Sequence, residues 1–306
     1  TSTINIGTGV SVSGTRPAPV TAASIATINA LAPGRTFLGL GTGNTAMRIM
    51  GHKPQRIAEF DQYLEAIKPL LKGEEAEHSF GGHVSPIRHI MPDKGFVNFE
   101  DPIPLYVSGF GPKSLALAGK HADGAVLSIP PDTQAMDRTW EMIERGAAEA
   151  GRELDRENYL TCSLTTIVVL EDGETIESPR VKAEAGAMAM ASVHYSYDQY
   201  RQLGRSPGSR LDDIWDEYTS MLADYDPERI HQRIHAGHNC WVIPEEERFV
   251  TPELIDATCI VGTANEVIER LQQLEERGLD QLMILPNFDP RFEVLERIGR
   301  EIIPHV

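Results

Sequence analysis

Three glycine-rich runs hold the residues whose type and spacing suit chemistry. They are Gly7-Thr8-Gly9-Val10, Gly39-Leu40-Gly41-Thr42-Gly43-Asn44 and Ser108-Gly109-Phe110-Gly111-Pro112-Lys113. Each follows a short apolar run that reads as a β-strand. Each is therefore expected at the carboxyl edge of a parallel sheet, where α/β folds bind their ligands. Glycine at such an edge lets the backbone approach a flat ring or a phosphate closely.

The third run is the most mechanistic. Pro112 suits the first position of a helix, because its missing N–H would have had no partner there. The amides of Gly111, Lys113 and Ser114 then point at the strand end and, with the helix dipole, offer an anion site. Lys113 and the hydroxyls of Ser108 and Ser114 add donors. The competing reading is a plain turn with a proline start. The second run echoes a dinucleotide fingerprint, but Gly39, Gly41 and Gly43 alternate and lack its final spacing.

Other reactive side chains read as bland. His231, His235 and His238 have H-x3-H-x2-H spacing, which a helix would bring toward one face. No glutamate is interleaved as in H-E-x-x-H, so no metal site is assigned. His78, His83 and His89 are irregularly spaced and could line a pocket. His194, with Tyr195 and Tyr197, either faces substrate or belongs to a polar loop. Met188 and Met190 read as core filler. Cys162, Cys240 and Cys259 form no CxxC pair, which fits a reducing cytoplasm and a buried, unreactive role for each. No G-x-S-x-G elbow is present for a hydrolase of that class.

The elements that must position these residues follow a rhythm of strand, glycine turn and amphipathic helix. Strands are expected over Ile4 to Val10, Thr36 to Leu40, Leu105 to Val107, Ala125 to Ile129, Leu164 to Leu170 and Gln281 to Leu285. Helices are expected over Val20 to Leu31, from about Pro54, over Pro112 to His121, over Thr133 to Ala150, and from about Pro290. The clearest helix start is Thr263 to Glu266, a T-x-x-E capping box, and Gly278 marks that helix's end. Residues 73–101, with Gly81-Gly82, break the rhythm and read as a hairpin or lid. Residues 172–250 are a second irregular region, expected to be mostly helix.

Composition agrees with a protein that handles small molecules. The 306 residues are 41% hydrophobic, enough for a full core. With 28 basic and 45 acidic residues the net charge is −17. That balance opposes nucleic-acid binding, which needs a basic footprint. No run is long and apolar enough for a membrane span, and no secretory signal is visible. Repeated βα units imply a parallel sheet covered by helices. Six strands fall short of the eight that close a barrel. Either two strands lie upstream of residue 1, or the sheet is open and doubly wound.

Taken together the motifs resemble the bacterial luciferase-like superfamily, in its coenzyme F420-dependent, methylene-tetrahydromethanopterin reductase-like branch. The resemblance lies in Ile4 to Val10, Thr15-Arg16-Pro17, Leu31 to Arg35 and Phe37 to Gly43. It continues in Gly111 to Gly119 with Ala122-Asp123-Gly124, and in Glu247 to Thr263. It is weakest over residues 73–101 and 172–235. It implies an α/β fold, a (β/α)8 TIM barrel over residues 1–306 as one domain. The insertions would fall at about 73–101 and 172–250, and the first two strands upstream of residue 1. It further implies a bulge with a non-prolyl cis peptide near Gly9-Val10, behind the ring of a deazaflavin.

On that resemblance the protein is expected to transfer a hydride between coenzyme F420 and a small organic substrate, such as a methylene-tetrahydropterin. Ser108, Gly109, Phe110, Gly111, Lys113 and Ser114 would hold the phosphate. Gly9 and Val10 would back the ring, and Thr42 and Asn44 would meet its polar edge as the catalytic pair. Asn44 stands where the sugar-phosphate dehydrogenase branch carries a glutamate acid, so glucose-6-phosphate oxidation is not expected. Alternatives are an FMN-dependent monooxygenase using oxygen on the same scaffold and a cofactor-binding protein without turnover. A cytoplasmic homodimer with no nucleic-acid or membrane partner completes the expectation.

Overall fold

In the computed structural model, which describes residues 2–306, the chain parts into two units. The first comprises residues 2–128 and 138–162, and the second residues 129–137 and 163–306.

The first unit alternates strands and helices much as the apolar periodicity demands. In order it holds β1 (Ile6–Val12), α1 (Ala18–Leu31), β2 (Thr36–Gly41), α2 (Asn44–Ile49) and α3 (Ile57–Leu70). Then come β3 (Ala76–Phe80), β4 (His83–Ile87), β5 (Leu105–Gly109), α4 (Pro112–His121) and β6 (Gly124–Leu127). The helix α5 (Thr133–Glu149) enters this unit at Arg138, and β7 (Leu160–Thr165) begins in it. Neighbouring strands run β1-β2-β5-β6-β7. The pairs β1/β2, β2/β5 and β5/β6 are parallel, with Ile6 opposite Thr36, Leu38 opposite Leu105 and Tyr106 opposite Gly124. Strands buried on both faces read as continuous apolar runs, and Leu38, Leu40, Leu105, Val107, Ala125 and Leu127 are all buried.

Helix placement follows local chemistry. Pro19 sits in the first turn of α1 and Pro112 opens α4, each where a missing N–H costs nothing. Helix α4 lies close against α5: a β-carbon at Gly119 would stand 1.9 Å from the Ile143 carbonyl oxygen. The Asp61 carboxylate meets the buried His121 ring and is joined by Lys120 at 2.8 Å, which ties α3 to α4. Residues 76–87 form the expected hairpin, turning on Gly81 and Gly82 at φ of +59° and +80°. Two successive positive φ values are what a tight primed turn requires.

The second unit holds β8 (Ile167–Val169), α6 (Pro179–Leu203), α7 (Asp212–Ala223), α8 (Ile230–Ile234) and α9 (Pro252–Thr258). It ends with β9 (Ile260–Gly262), α10 (Ala264–Glu276), β10 (Gln281–Ile284) and α11 (Arg291–Glu301). Strands β8 and β9 pair in parallel, Ile167 opposite Ile260. The capping box of α10 forms: the Thr263 amide donates to Glu266 Oε2 at 2.8 Å, and Thr263 Oγ1 accepts from the Glu266 amide. Gly278 ends the helix at φ +81°. The core packs one face of α6 (Val181, Ala185, Met188, Ala189, Val193) against Tyr218, Phe249, Leu254 and Ile255.

Three expectations are corrected here. The single strand expected over Leu164 to Leu170 is two, β7 and β8, because the chain changes sheets at Thr166, whose hydroxyl donates to the Leu285 carbonyl. Strand β9, only three residues long, was not expected at all. The stretch with His194, Tyr195 and Tyr197 is not a loop but lies inside the 25-residue helix α6.

Candidate functional site

The three glycine runs come together in the first unit because β1, β2 and β5 are adjacent and parallel. Their carboxyl ends, Val12, Gly41 and Gly109, therefore face the same edge of the sheet. The register of β1 on β2 shifts between Thr8 and Ser11, and the Gly9–Val10 peptide bond within that bulge is cis. A bulge re-aims a strand's side chains locally. Here it sets Val10 across β2: a β-carbon at Gly41 would stand 3.0 Å from Val10 Cγ2 and 3.3 Å from Ser108 Cβ. A β-carbon at Gly39 would fall 2.1 Å from the Thr8 carbonyl oxygen. Glycine at these two positions is what lets β1, β2 and β5 close on one another.

Side-chain bonds fix the bulge. Thr8 Oγ1 donates to the Gly39 carbonyl at 2.8 Å and accepts from the Gly39 amide at 3.1 Å. The buried Ser13 hydroxyl reaches the Gly41 carbonyl at 3.0 Å and also meets Gln55 Oε1. The Gln55 amide in turn donates to the Thr42 carbonyl at 3.2 Å. Ser13 and Gln55 thus brace the edge, and neither stands in a motif that sequence reasoning could single out.

Asn44 is the first residue of α2, directly after Gly43 at φ +76°. Its Oδ1 accepts from the buried Arg48 Nε at 2.7 Å. With the oxygen so assigned, the Asn44 amide nitrogen is the atom that can donate to a ligand. Thr42 is half-buried beside it.

At the third run Ser108 is half-buried, Gly109 is buried, Phe110 is exposed and Gly111 caps α4. Two expected donors, the Gly111 amide and the Ser114 hydroxyl, are corrected. The Gly111 amide is taken by Ser114 Oγ at 3.3 Å, and that hydroxyl donates back to the Gly111 carbonyl at 3.0 Å. Gly111 and Ser114 Oγ therefore satisfy each other. The first-turn amides of Lys113 and Ser114 are left without an intrahelical acceptor, and Lys113 is exposed beside them. The helix dipole adds positive potential at this end. The arrangement suits a phosphate at the α4 terminus and a flat ring along Val10 and the β2 glycines.

Titratable groups around these strands are set by burial. The Cys162 thiol on β7 is pushed up to about 11 and stays protonated at neutral pH. Burial, aided by the Asp123 carboxylate, raises the Tyr106 phenol. Neither group is placed to act as a base. In the hairpin region, burial lowers His78 and His89, and His89 packs on Phe99 with ring centroids 4.7 Å apart. Of the three thiols, Cys162 and Cys259 are buried as expected, whereas Cys240 is only half-buried.

The histidines expected to share a helix face do not. Helix α8 stops at Ile234, so His231 stays on it while His235 and His238 lie beyond its end. His235 and His238 instead meet His194 of α6, and the three rings form a cluster. Burial beside His194 and His235 pulls His238 down to about 4.

Among the described residues no helix is long and apolar enough to cross a membrane. Comparison with known proteins gives a consistent picture. Residues 1–281 match the family model described as luciferase-like monooxygenase. A 5,10-methylenetetrahydromethanopterin reductase of Methanolobus tindarius is 27% identical over 319 residues, spanning 99% of this chain and 84% of that protein. The structure of the coenzyme F420-dependent tetrahydromethanopterin reductase of Methanopyrus kandleri superposes with a TM-score of 0.69 at 21% identity. It covers 100% of this chain and 84% of that one. An FMN-containing type II Baeyer-Villiger monooxygenase of Pseudomonas putida superposes with a TM-score of 0.56 at 19% identity, over 99% and 80% of the two chains.

Proposed function

Since this chain belongs to the luciferase-like monooxygenase family, we propose that it is an F420-dependent oxidoreductase that passes a hydride between the deazaflavin and a small organic substrate. The observation that carries this reading is the meeting of three glycine runs on neighbouring carboxyl strand ends, with an anion-binding helix start at one side. The names of the reductases it is similar to support the same cofactor and an activated small molecule, such as a methylene-tetrahydropterin, as substrate.

The residues present fit the group. A ring needs a flat, side-chain-poor wall, and Gly39 and Gly41 with Val10 across them supply one. A phosphate needs N–H donors and positive charge, and the α4 amides with Lys113 supply both. When bound, coenzyme F420 supplies the hydride chemistry. The chain's part is orientation. Lys113, with the amides of Lys113 and Ser114, holds the phosphate; Ser108, Gly109, Phe110 and Gly111 shape the turn around it. Gly9 and Val10 back the ring. Asn44, held by Arg48, aims its amide N–H at an oxygen on the ring edge or the substrate, and Thr42 lies beside it. The Asn44 carboxamide does not ionise, so the group acts by hydrogen bonding and not as an acid.

The second reading is FMN-dependent oxygenation. It is favoured by one specific fact, that the α4 terminus would serve an FMN phosphate equally, and an FMN enzyme shares the fold. A protein that binds the cofactor without turnover is the reading of a different class. The finer fold reading, one eight-stranded (β/α) barrel with insertions at about 73–101 and 172–250, belongs to the same proposal. So do a homodimer and a cytoplasmic location. Anaerobic mixing with reduced coenzyme F420 and a methylene-tetrahydropterin tests the activity. Return of the oxidised deazaflavin absorbance is expected. Binding without that return would leave the non-catalytic reading.

A further inference from the structure

Three histidines converge inside the second unit: His194 from α6, and His235 and His238 from the turn that follows α8. One ring nitrogen of each lies within 4.8 Å of those of the other two. His194 and His235 are buried, at 2% and 8% exposure. Each has one nitrogen committed to a buried carboxylate. His194 Nε2 lies 2.9 Å from Glu246 Oε2, and His235 Nε2 lies 2.9 Å from Asp198 Oδ2. Glu246 is itself held by Arg233 at 3.1 Å and by the Tyr218 hydroxyl at 3.4 Å. The other nitrogen of both rings, Nδ1, is buried and has no hydrogen-bond partner.

We propose that His194, His235 and His238 form a binding site for a first-row divalent metal ion of the zinc type, with Glu246 and Asp198 as its outer carboxylates. A carboxylate on Nε2 fixes the N–H there and leaves the Nδ1 lone pair for a metal, the arrangement by which metal-binding histidines are oriented. An unpartnered buried nitrogen is costly, and an ion bound by His194 and His235 would give both Nδ1 atoms a partner. Tetrahedral coordination with Zn–N of about 2 Å sets the nitrogens about 3.3 Å apart, so an ion would draw the rings in from their present separations, which are within 4.8 Å. Three histidines leave one coordination position for water. The ion would join α6 to the segment after α8. The other cluster of suitable residues, Asp61, Glu65 and His121, already has the Lys120 ammonium at 2.8 Å and 3.0 Å from its carboxylates, which fills the role of a cation.

The test uses the full chain, stripped with a chelator and titrated with Co(II) and then Zn(II). The expected result is one Co(II) per chain with intense visible d–d bands, displaced by Zn(II), and histidine 15N shifts that move at Nδ1 of His194 and His235. Asp198→Asn is expected to weaken binding by roughly 10–100-fold. His238→Asn abolishes it, with native far-UV dichroism as the control for folding, and His231→Gln leaves it intact. Absence of Co(II) bands and of retained zinc in the unaltered protein overturns the proposal. So does binding that survives in folded His238→Asn. If a variant does not fold, the 15N shifts of the unaltered protein decide.

Discussion

Val10 lies across Gly41: a β-carbon at Gly41 would approach Val10 Cγ2 to 3.0 Å, and Ser108 Cβ stands on its other side. This close approach joins the bulged end of β1 to the ends of β2 and β5. It makes one continuous wall from residues far apart in sequence, and the expected outcomes of mutation follow from it.

Glycines at this edge separate into two kinds. At Gly39 a β-carbon would collide with the Thr8 backbone carbonyl at 2.1 Å, and neither atom can swing aside. Gly39→Ala should lower stability by about 1–3 kcal/mol, as overpacking does. At Gly111 the nearest atom is Ser114 Oγ at 4.0 Å. Gly111→Ala should leave the thermal midpoint unchanged and weaken cofactor binding, because a methyl group there crowds a bound phosphate. Thermal denaturation paired with a fluorescence titration separates the two. Equal destabilisation by both substitutions would remove the ligand role of Gly111.

Asn44 should matter for turnover more than for binding. Asn44→Asp keeps the acceptor that holds Arg48 and removes the N–H donor. Loss of a donor that stabilises developing charge lowers kcat by roughly 10²–10³-fold. Steady-state kinetics should show that fall with the cofactor Kd little changed. A kcat within twofold of the unaltered protein would move the catalytic role away from Asn44.

Much of this edge was legible in the sequence because the signals are local. Pro112 and the alternating glycines act within a few residues, and α4 runs over Pro112–His121 as expected. The Thr263/Glu266 box is equally short-range. What stayed hidden depends on interactions between distant segments. Strand β9 is three residues long and exists through its pairing with β8. Ser13 and Gln55 brace the bulge from separate turns. The histidine cluster could not be read from H-x3-H-x2-H, since His194 arrives from another helix and His231 stays outside. Hydrogen bonding of Gly111 by Ser114 was missed because helix propensity does not say which side chain folds back on the cap.

Acid should loosen the second unit through Glu174. Its hydrogen bond with Arg180 holds the carboxyl at about 2, below the ordinary 4.5. A depressed carboxylate contributes stability that is fully present above 4.5 and is lost as the pH falls from there toward 2. Arg180 also bonds Glu184 at 2.8 Å and the Val169 carbonyl at 2.8 Å, so it links the start of α6 to β8. Urea unfolding at about pH 6 and about pH 3 should show a larger loss for the unaltered protein than for Glu174→Gln. Parallel losses in the two would deny the pair its role.

The most direct measurement of the central claim is an equilibrium fluorescence titration with coenzyme F420 and with FMN, on the unaltered protein and on Lys113→Glu. Lys113 is exposed, so reversal of its charge leaves the core untouched. Deazaflavin binding stronger than FMN binding is predicted. Lys113→Glu should weaken it by about 10–100-fold, the effect of replacing a charge-assisted phosphate hydrogen bond with repulsion. Preference for FMN would move the protein to oxygenation on the same scaffold. Binding of neither cofactor, or binding indifferent to Lys113→Glu, would contradict a phosphate held at the start of α4.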